Sequence, residues 1–205
     1  MANNATKEVL LMIADISGYT EFMVASDLEI EHSQSIITGL IQAIIEQVHI
    51  PLEVSKLEGD AVFLYAIKES ENYKWADVTG TIGEKLLLFF EAFHQKLSIL
   101  GGCGACTCGA CSNLAALRLK VVVHSGAALF YQINQFNELS GGDVILVHRL
   151  LKNSTTHDEY ILMTESAYSD IEFPGEIRVE HGTEEYEHLG SVNTLVYYPH
   201  KQAAA

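Results

Sequence analysis

Positive charge is scarce in this 205-residue chain: 12 lysines and arginines stand against 27 aspartates and glutamates, a formal net charge of −15. A nucleic-acid backbone or an anionic membrane surface demands a basic face, so neither is expected as a generic partner. No apolar run approaches bilayer length, and the opening MANNATKEVL lacks a basic flank followed by an apolar stretch. The chain is therefore expected to be cytoplasmic, with no membrane segment. Proline is rare, at three residues, and no Pro/Gly/Ser-rich linker or internal repeat divides the chain. One domain over residues 1–200 is expected, followed by a tail at 201–205. No Walker loop, dinucleotide glycine fingerprint, Ser/His/Asp elbow or His-x-x-x-His pair is present, although there are nine histidines. His124, His148 and His188 read as ordinary hydrogen-bonding residues.

What is present is a regular alternation of apolar patterns. Val9 to Ile16 is a continuous apolar run interrupted at Asp15, as in a central strand that delivers a polar group near its end. From Leu28 to Val48 the positions Ile36, Ile37, Leu40, Ile41, Ile44 and Ile45 repeat with helical spacing, and Pro51 ends the pattern. Leu52–Leu57 and Ala61–Ala66 read as a hairpin turning through Gly59 and Asp60. Strand parity places Lys56 on the face of Leu52 and Val54, where a lysine needs a reason.

Val78, Ile82, Leu86, Phe89, Phe93 and Leu97 mark a second helix. Strand-like runs follow at Leu117–His124 and, past Gly126, at Ala127–Ile133. A helix over Asp143–Lys152, a strand at Tyr160–Met163, a short helix opened by Thr164 and Glu165, and strands at Ile177–Val179 and Thr194–Tyr198 complete the chain. The order implies an α+β fold: a ferredoxin-like βαββαβ core with additional strands.

Two carboxylates mark the chemistry. Asp15-Ile16-Ser17-Gly18-Tyr19-Thr20 sets one at a strand-to-helix turn whose Gly-containing backbone suits phosphate, and Lys56-Leu57-Glu58-Gly59-Asp60 sets another on the hairpin. Convergent carboxylates suit Mg²⁺ or Mn²⁺, which bridge to substrate phosphates. Each alone reads equally as a helix cap or a turn residue.

In order, these segments resemble the class III adenylate and guanylate (nucleotidyl) cyclases, with metal motifs Asp-Ile-x-Gly-Phe/Tyr-Thr and Lys-x-x-Gly-Asp. The resemblance runs from Glu8 to Ser166 through His124-Ser125-Gly126 and the Gly141–Arg149 helix start. It implies a nucleotide cyclase-like sandwich and two metals per site on Asp15, Asp60 and the Ile16 carbonyl, with Gly18, Tyr19 and Thr20 against the triphosphate. It further implies Lys56 and Glu138 as readers of the adenine edge and Arg149 as the group stabilising the transition state. A head-to-tail homodimer follows from the family, each site taking Asp15 and Asp60 from one chain and Lys56, Glu138 and Arg149 from the other. The implied activity is that of an adenylate cyclase, a phosphorus–oxygen lyase that makes cyclic AMP and pyrophosphate from ATP.

The sequence departs from the family at two places. Ile145 stands where active members carry a ribose-positioning asparagine, and no lysine or arginine lies near Leu189 and Gly190. Nucleotide binding or protein interaction without turnover therefore stays open beside cyclisation. Cys103, Cys106, Cys108 and Cys111 form two Cys-x-x-Cys pairs in a Gly-rich insertion at 101–112. Clustered within nine residues, they argue against a secreted disulfide framework and for a local thiol site, with Zn²⁺ leading. An iron–sulfur centre, a disulfide switch, a thiol sensor and thiols shared across a dimer remain open.

Overall fold

The computed structural model describes residues 4–25, 30–102 and 108–199. One eight-stranded sheet organises them. β1 (Ala5–Ser17) lies at its centre between β3 (Ala61–Ile67) and β4 (Arg118–Ile133), antiparallel to both. β2 (Glu53–Glu58) flanks β3, and on the other side β4 runs parallel to β6 (Tyr160–Thr164), followed by β8 (Gly190–Tyr197) and β7 (Val179–Tyr186). β5 (Phe136–Ser140) folds back on the far end of β4.

β1 is apolar at successive positions because both of its faces are covered. Leu10, Met12, Ala14 and Ile16 pack into one core, and Val9, Leu11 and Ile13 into the other. The first core is roofed by α2 (Ile30–Ile45) and α3 (Trp75–Gly101), which turn Ile37, Leu40 and Ile44, and Ile82, Leu86, Phe89 and Phe93, onto the sheet. The second is roofed by α5 (Gly142–Arg149) through Val144, Leu146 and Val147. Two short helices flank the first layer: α1 (Tyr19–Ala25), directly after β1, and α4 (Gly109–Asn113), which leads through a single 3-10 turn into β4. α6 (Glu165–Ser169) is capped by the Thr164 hydroxyl, which accepts from the Ala167 amide. No helix among the described residues is long and apolar enough to cross a membrane.

The α+β architecture agrees with the sequence expectation, with three corrections. The two runs on either side of Gly126 are one 16-residue strand, and the antiparallel strand that returns along its far end is β5. The strand expected at Ile177–Val179 begins only at Val179. The register between β2 and β3 also slips at Ser55, so Val54 faces Leu64 while Lys56 faces Phe63. Leu64 and Phe63 belong to opposite cores, so this bulge moves Lys56 off the Val54 face and onto the α5 face.

Candidate functional site

The two aspartates converge because of register. Asp15 pairs with Ala61 on β3 and with Lys120 on β4, and Asp60 immediately precedes Ala61. Gly59 and Asp60 form the two-residue turn between β2 and β3, with Gly59 at φ 71°, the left-handed first position that a type II′ turn requires. By alternation along β1, Asp15 shares the α5 face with Leu11 and Ile13. Beyond it Gly18 turns the chain at φ 83°, and any Cβ there would lie 3.2 Å from the Ala116 carbonyl oxygen. The Phe22 amide donates to the Gly18 carbonyl at 2.9 Å, starting α1 on Tyr19 and Thr20.

The pair is electrostatically frustrated. Burial, then the Asp15 charge and a hydrogen bond with Asp15, push the Asp60 carboxyl up to about 6. Lys120 Nζ sits 2.9 Å from Asp15 Oδ2. Burial lowers the Lys120 pKa, but the hydrogen bond to Asp15 and its charge outweigh that, so the net shift is upward. One ammonium thus faces two partly buried carboxylates. This donor set fits a hard divalent cation, which would relieve the repulsion still felt by Asp60.

A second cluster lies on β2, β5 and α5. Lys56 Nζ donates to Glu138 Oε2 at 2.8 Å and stands 3.8 Å from Glu58, and the Glu138 hydrogen bond raises the lysine pKa despite partial burial. Glu58 in turn holds His148 Nε2 at 3.0 Å, while the imidazole lies edge-on to Phe63 with ring centroids 5.0 Å apart. Beside this chain a cleft of about 330 Å³ is lined by Tyr65, Tyr131, Asn137 and Glu138, together with Ser55. The buried Ser55 hydroxyl has no hydrogen-bond partner among the described residues. Arg149 is exposed on α5 and forms no ion pair among the described residues, one turn beyond Ile145, which is 55 % exposed. The β7–β8 turn carries His188 at 87 % side-chain exposure and no lysine or arginine.

Of the residues named from sequence, the structure brings Asp15 to Asp60 and Lys56 to Glu138. Arg149 stands apart on the outer surface of α5. Lys120 and the Glu58–His148 bridge were not singled out, although a lysine embedded in the apolar run Leu117–Val123 was a readable signal. His124 is a structural bridge: its ring contacts Thr164 Oγ1 at 3.0 Å and Asp143 Oδ1 at 3.1 Å, and Asp143 Oδ2 accepts from the Ala127 amide at 2.7 Å. Cys103 and Cys106 lie outside the described residues. Cys108 and Cys111 lie at the start of α4.

Residues 37–160 match the family model described as protein of unknown function (DUF2652). An uncharacterized protein of Mycobacterium tuberculosis is 31% identical over 114 residues, which cover 56% of this chain and 50% of that protein. The chain thus aligns with half the length of that relative. Among solved structures, the guanylyl cyclase Cya2 superposes with a TM-score of 0.75 at 13% identity, over 96% of this chain and 94% of that one. The adenylyl cyclase CyaB from P. aeruginosa gives 0.71 at 15% identity, over 95% of each. A class III adenylyl cyclase-like ATP-binding protein from Pseudomonas aeruginosa gives 0.62 at 14% identity, over 82% of this chain and 36% of that one. At such identities the likeness establishes the cyclase-like fold.

Proposed function

We propose that this chain, which belongs to the DUF2652 family, is a homodimeric nucleotidyl cyclase-like domain that binds a nucleoside triphosphate, preferably ATP, with divalent metal. The observation that carries the reading is the convergence of Asp15 and Asp60, with Asp60 raised to about 6. Two carboxylates held together with a single ammonium leave one negative charge unbalanced, which a divalent cation would offset. Mg²⁺ or Mn²⁺ on Asp15, Asp60 and the Ile16 carbonyl would neutralise the triphosphate and favour the ribose hydroxyl as a nucleophile. In this reading the backbone amides of Gly18, Tyr19 and Thr20, where the chain turns at φ 83°, face the triphosphate.

The Lys56–Glu138 pair supports an adenine preference. An ammonium donates to a ring nitrogen and a carboxylate accepts from an exocyclic amine, as adenine offers at N1 and N6, whereas guanine N1 carries a hydrogen and cannot accept there. Arg149, an exposed cation with no ion pair among the described residues, is suited to reach the phosphates held by a second copy. The P. aeruginosa neighbour whose name includes ATP binding is a precedent for binding on this fold.

Cyclisation is the further step that paired aspartates favour and Ile145 opposes. An isoleucine cannot hydrogen-bond a ribose, and each missing polar contact costs on the order of a hundredfold in rate. The test is calorimetric binding and product analysis with ATP, GTP, CTP and UTP, each with Mg²⁺ or Mn²⁺, using Asp60→Asn as the control. Metal-dependent ATP binding lost in Asp60→Asn is the expected result. Cyclic AMP formed by the wild type and absent from that variant would make the chain an adenylate cyclase despite Ile145. Failure to bind any of the four nucleotides would overturn the reading.

A further inference from the structure

The cysteine segment acquires a partner that sequence spacing does not reveal. His32, in the first turn of α2, stands beside Cys108 and Cys111 of α4: Cys108 Sγ is 3.4 Å from His32 Nδ1, and Cys111 Sγ is 4.0 Å from Nε2. One donor atom from each of the three residues falls within 4.8 Å of the others. We infer that His32, Cys108 and Cys111 bind a borderline-soft divalent cation, Zn²⁺, at a site separate from the aspartate pair.

Three features support this site. The donor chemistry is that of zinc, since two thiolates and an imidazole are its preferred protein ligands, whereas Mg²⁺ takes hard oxygens. The spacing is close to what the ion needs: Zn–S of about 2.3 Å and Zn–N of about 2.0–2.1 Å put tetrahedral donors about 3.5–3.8 Å apart. His32 is exposed, so its solvent-facing ring can turn to present one nitrogen to both sulfurs. Finally, the Cys-x-x-Cys turn is already folded as a ligand loop. Cys108 caps α4, and its sulfur accepts from the Cys111 amide at 3.4 Å, leaving both side chains on the His32 side. Ala110, fully buried, and Leu114, nearly so, anchor this turn in the core, so the sulfurs sit on a fixed base.

The position gives the ion a structural task. α4 leads through the Ala116 carbonyl, which packs against Gly18, into the strand carrying Lys120. A cation joining α2 to α4 would tie both to the turn that follows Asp15. The inference stands whether or not the chain binds nucleotide, because none of its three ligands belongs to the aspartate site.

The test is metal analysis of the full chain by mass spectrometry, zinc-edge X-ray absorption, and titration with Co²⁺ as a spectroscopic substitute. About one zinc per chain is expected, undiminished in Asp60→Asn, with at least two sulfurs and an imidazole in its first shell. Cobalt should give intense thiolate charge-transfer bands, and His32→Ala should weaken binding by at least tenfold. Absence of zinc both as purified and after zinc addition would overturn the site. An all-sulfur shell, or a dithionite-bleachable iron chromophore, would do the same, as would zinc affinity unchanged in His32→Ala. The absorption and cobalt spectra are read on the wild type, so they decide the matter even where His32→Ala fails to fold.

Discussion

Asp60 is held at an energetic disadvantage that the neighbouring residues only partly relieve. Its carboxyl titrates near 3.8 in an unfolded chain and near 6 in the fold. A raised folded pKa means that stability is fully present below pH 3.8 and is lost as the pH rises through 6, because only the folded protein then favours the proton. At about 1.4 kcal/mol per unit the ceiling is about 3 kcal/mol, and partial solvation of the group reduces it to about 1–2 kcal/mol. Metal-free Asp60→Asn is therefore expected to melt a few degrees above wild type at pH 7 and to lose the slope between pH 4 and 6, while no longer gaining stability from Mg²⁺ or Mn²⁺. A variant that melts lower than wild type in metal-free buffer, or still responds to the ion, would show that Asp60 is an ordinary turn residue. Asp15, Asp60 and Lys56 stand in two short motifs that can be picked out along the chain, whereas Glu138 is named through the family resemblance alone. His32 was not, since 76 residues separate it from Cys108 and only the packing of α4 beside α2 brings them together. His148, read from sequence as an ordinary hydrogen-bonding residue, bonds Glu58, while Lys120, although conspicuous in its apolar run, acquires its meaning only from Asp15 on the neighbouring strand.

At the level of elements, apolar periodicity made the two long helices and the central strands readable, while register escaped it. Nothing in Glu53–Glu58 announces that Ser55 is a bulge, yet this one extra residue decides that Lys56 meets Glu138 and Glu58 on the α5 face. The run across Gly126 looked like two strands because a glycine commonly breaks one. Here the missing side chain makes room for the Asp143 carboxylate, which lies where a Cβ would be. The same logic gives a sharp contrast within α3. A Cβ on Gly83 would lie within 3.0 Å of the Glu172 backbone, which has little freedom to retreat because its amide donates to the Thr79 carbonyl. A Cβ on Gly80, one turn earlier, would meet only a Glu172 carboxylate oxygen at 4.0 Å. Gly83→Ala should therefore destabilise by about 1–3 kcal/mol through overpacking. Gly80→Ala should stabilise by about 0.5–1 kcal/mol through helix propensity. Urea melts of the two variants check the pair, and equal effects would mean that α3 does not seat against residues 172–173 as described.

For the whole molecule, the question is why apolar side chains crowd a surface already rich in charge. Leu57, Ile133, Phe136 and Ile145 are each more than half exposed, on β2, β4, β5 and α5; the Lys56–Glu138 and Glu58–His148 pairs join β2 to β5 and α5, and β5 pairs with β4. In the proposed homodimer a second copy would cover them and would bring its Lys56 and Arg149 towards the first copy's Asp15 and Asp60. Phe136→Glu places a charge on this exposed apolar surface without touching the core, so it should yield a folded monomer by sedimentation and lose nucleotide binding. Complementation is the stricter check on shared sites. Asp60→Asn and Lys56→Ala dimers should each bind no ATP. After mixing and re-equilibration, about half the dimers are mixed, and in each of these one site takes Asp60 from one chain and Lys56 from the other, both intact. ATP binding should then return to about a quarter of the wild-type sites. A mixture that stays silent under conditions where subunits demonstrably exchange would mean that each chain holds its own complete site, and the exposed apolar surface would then need another partner.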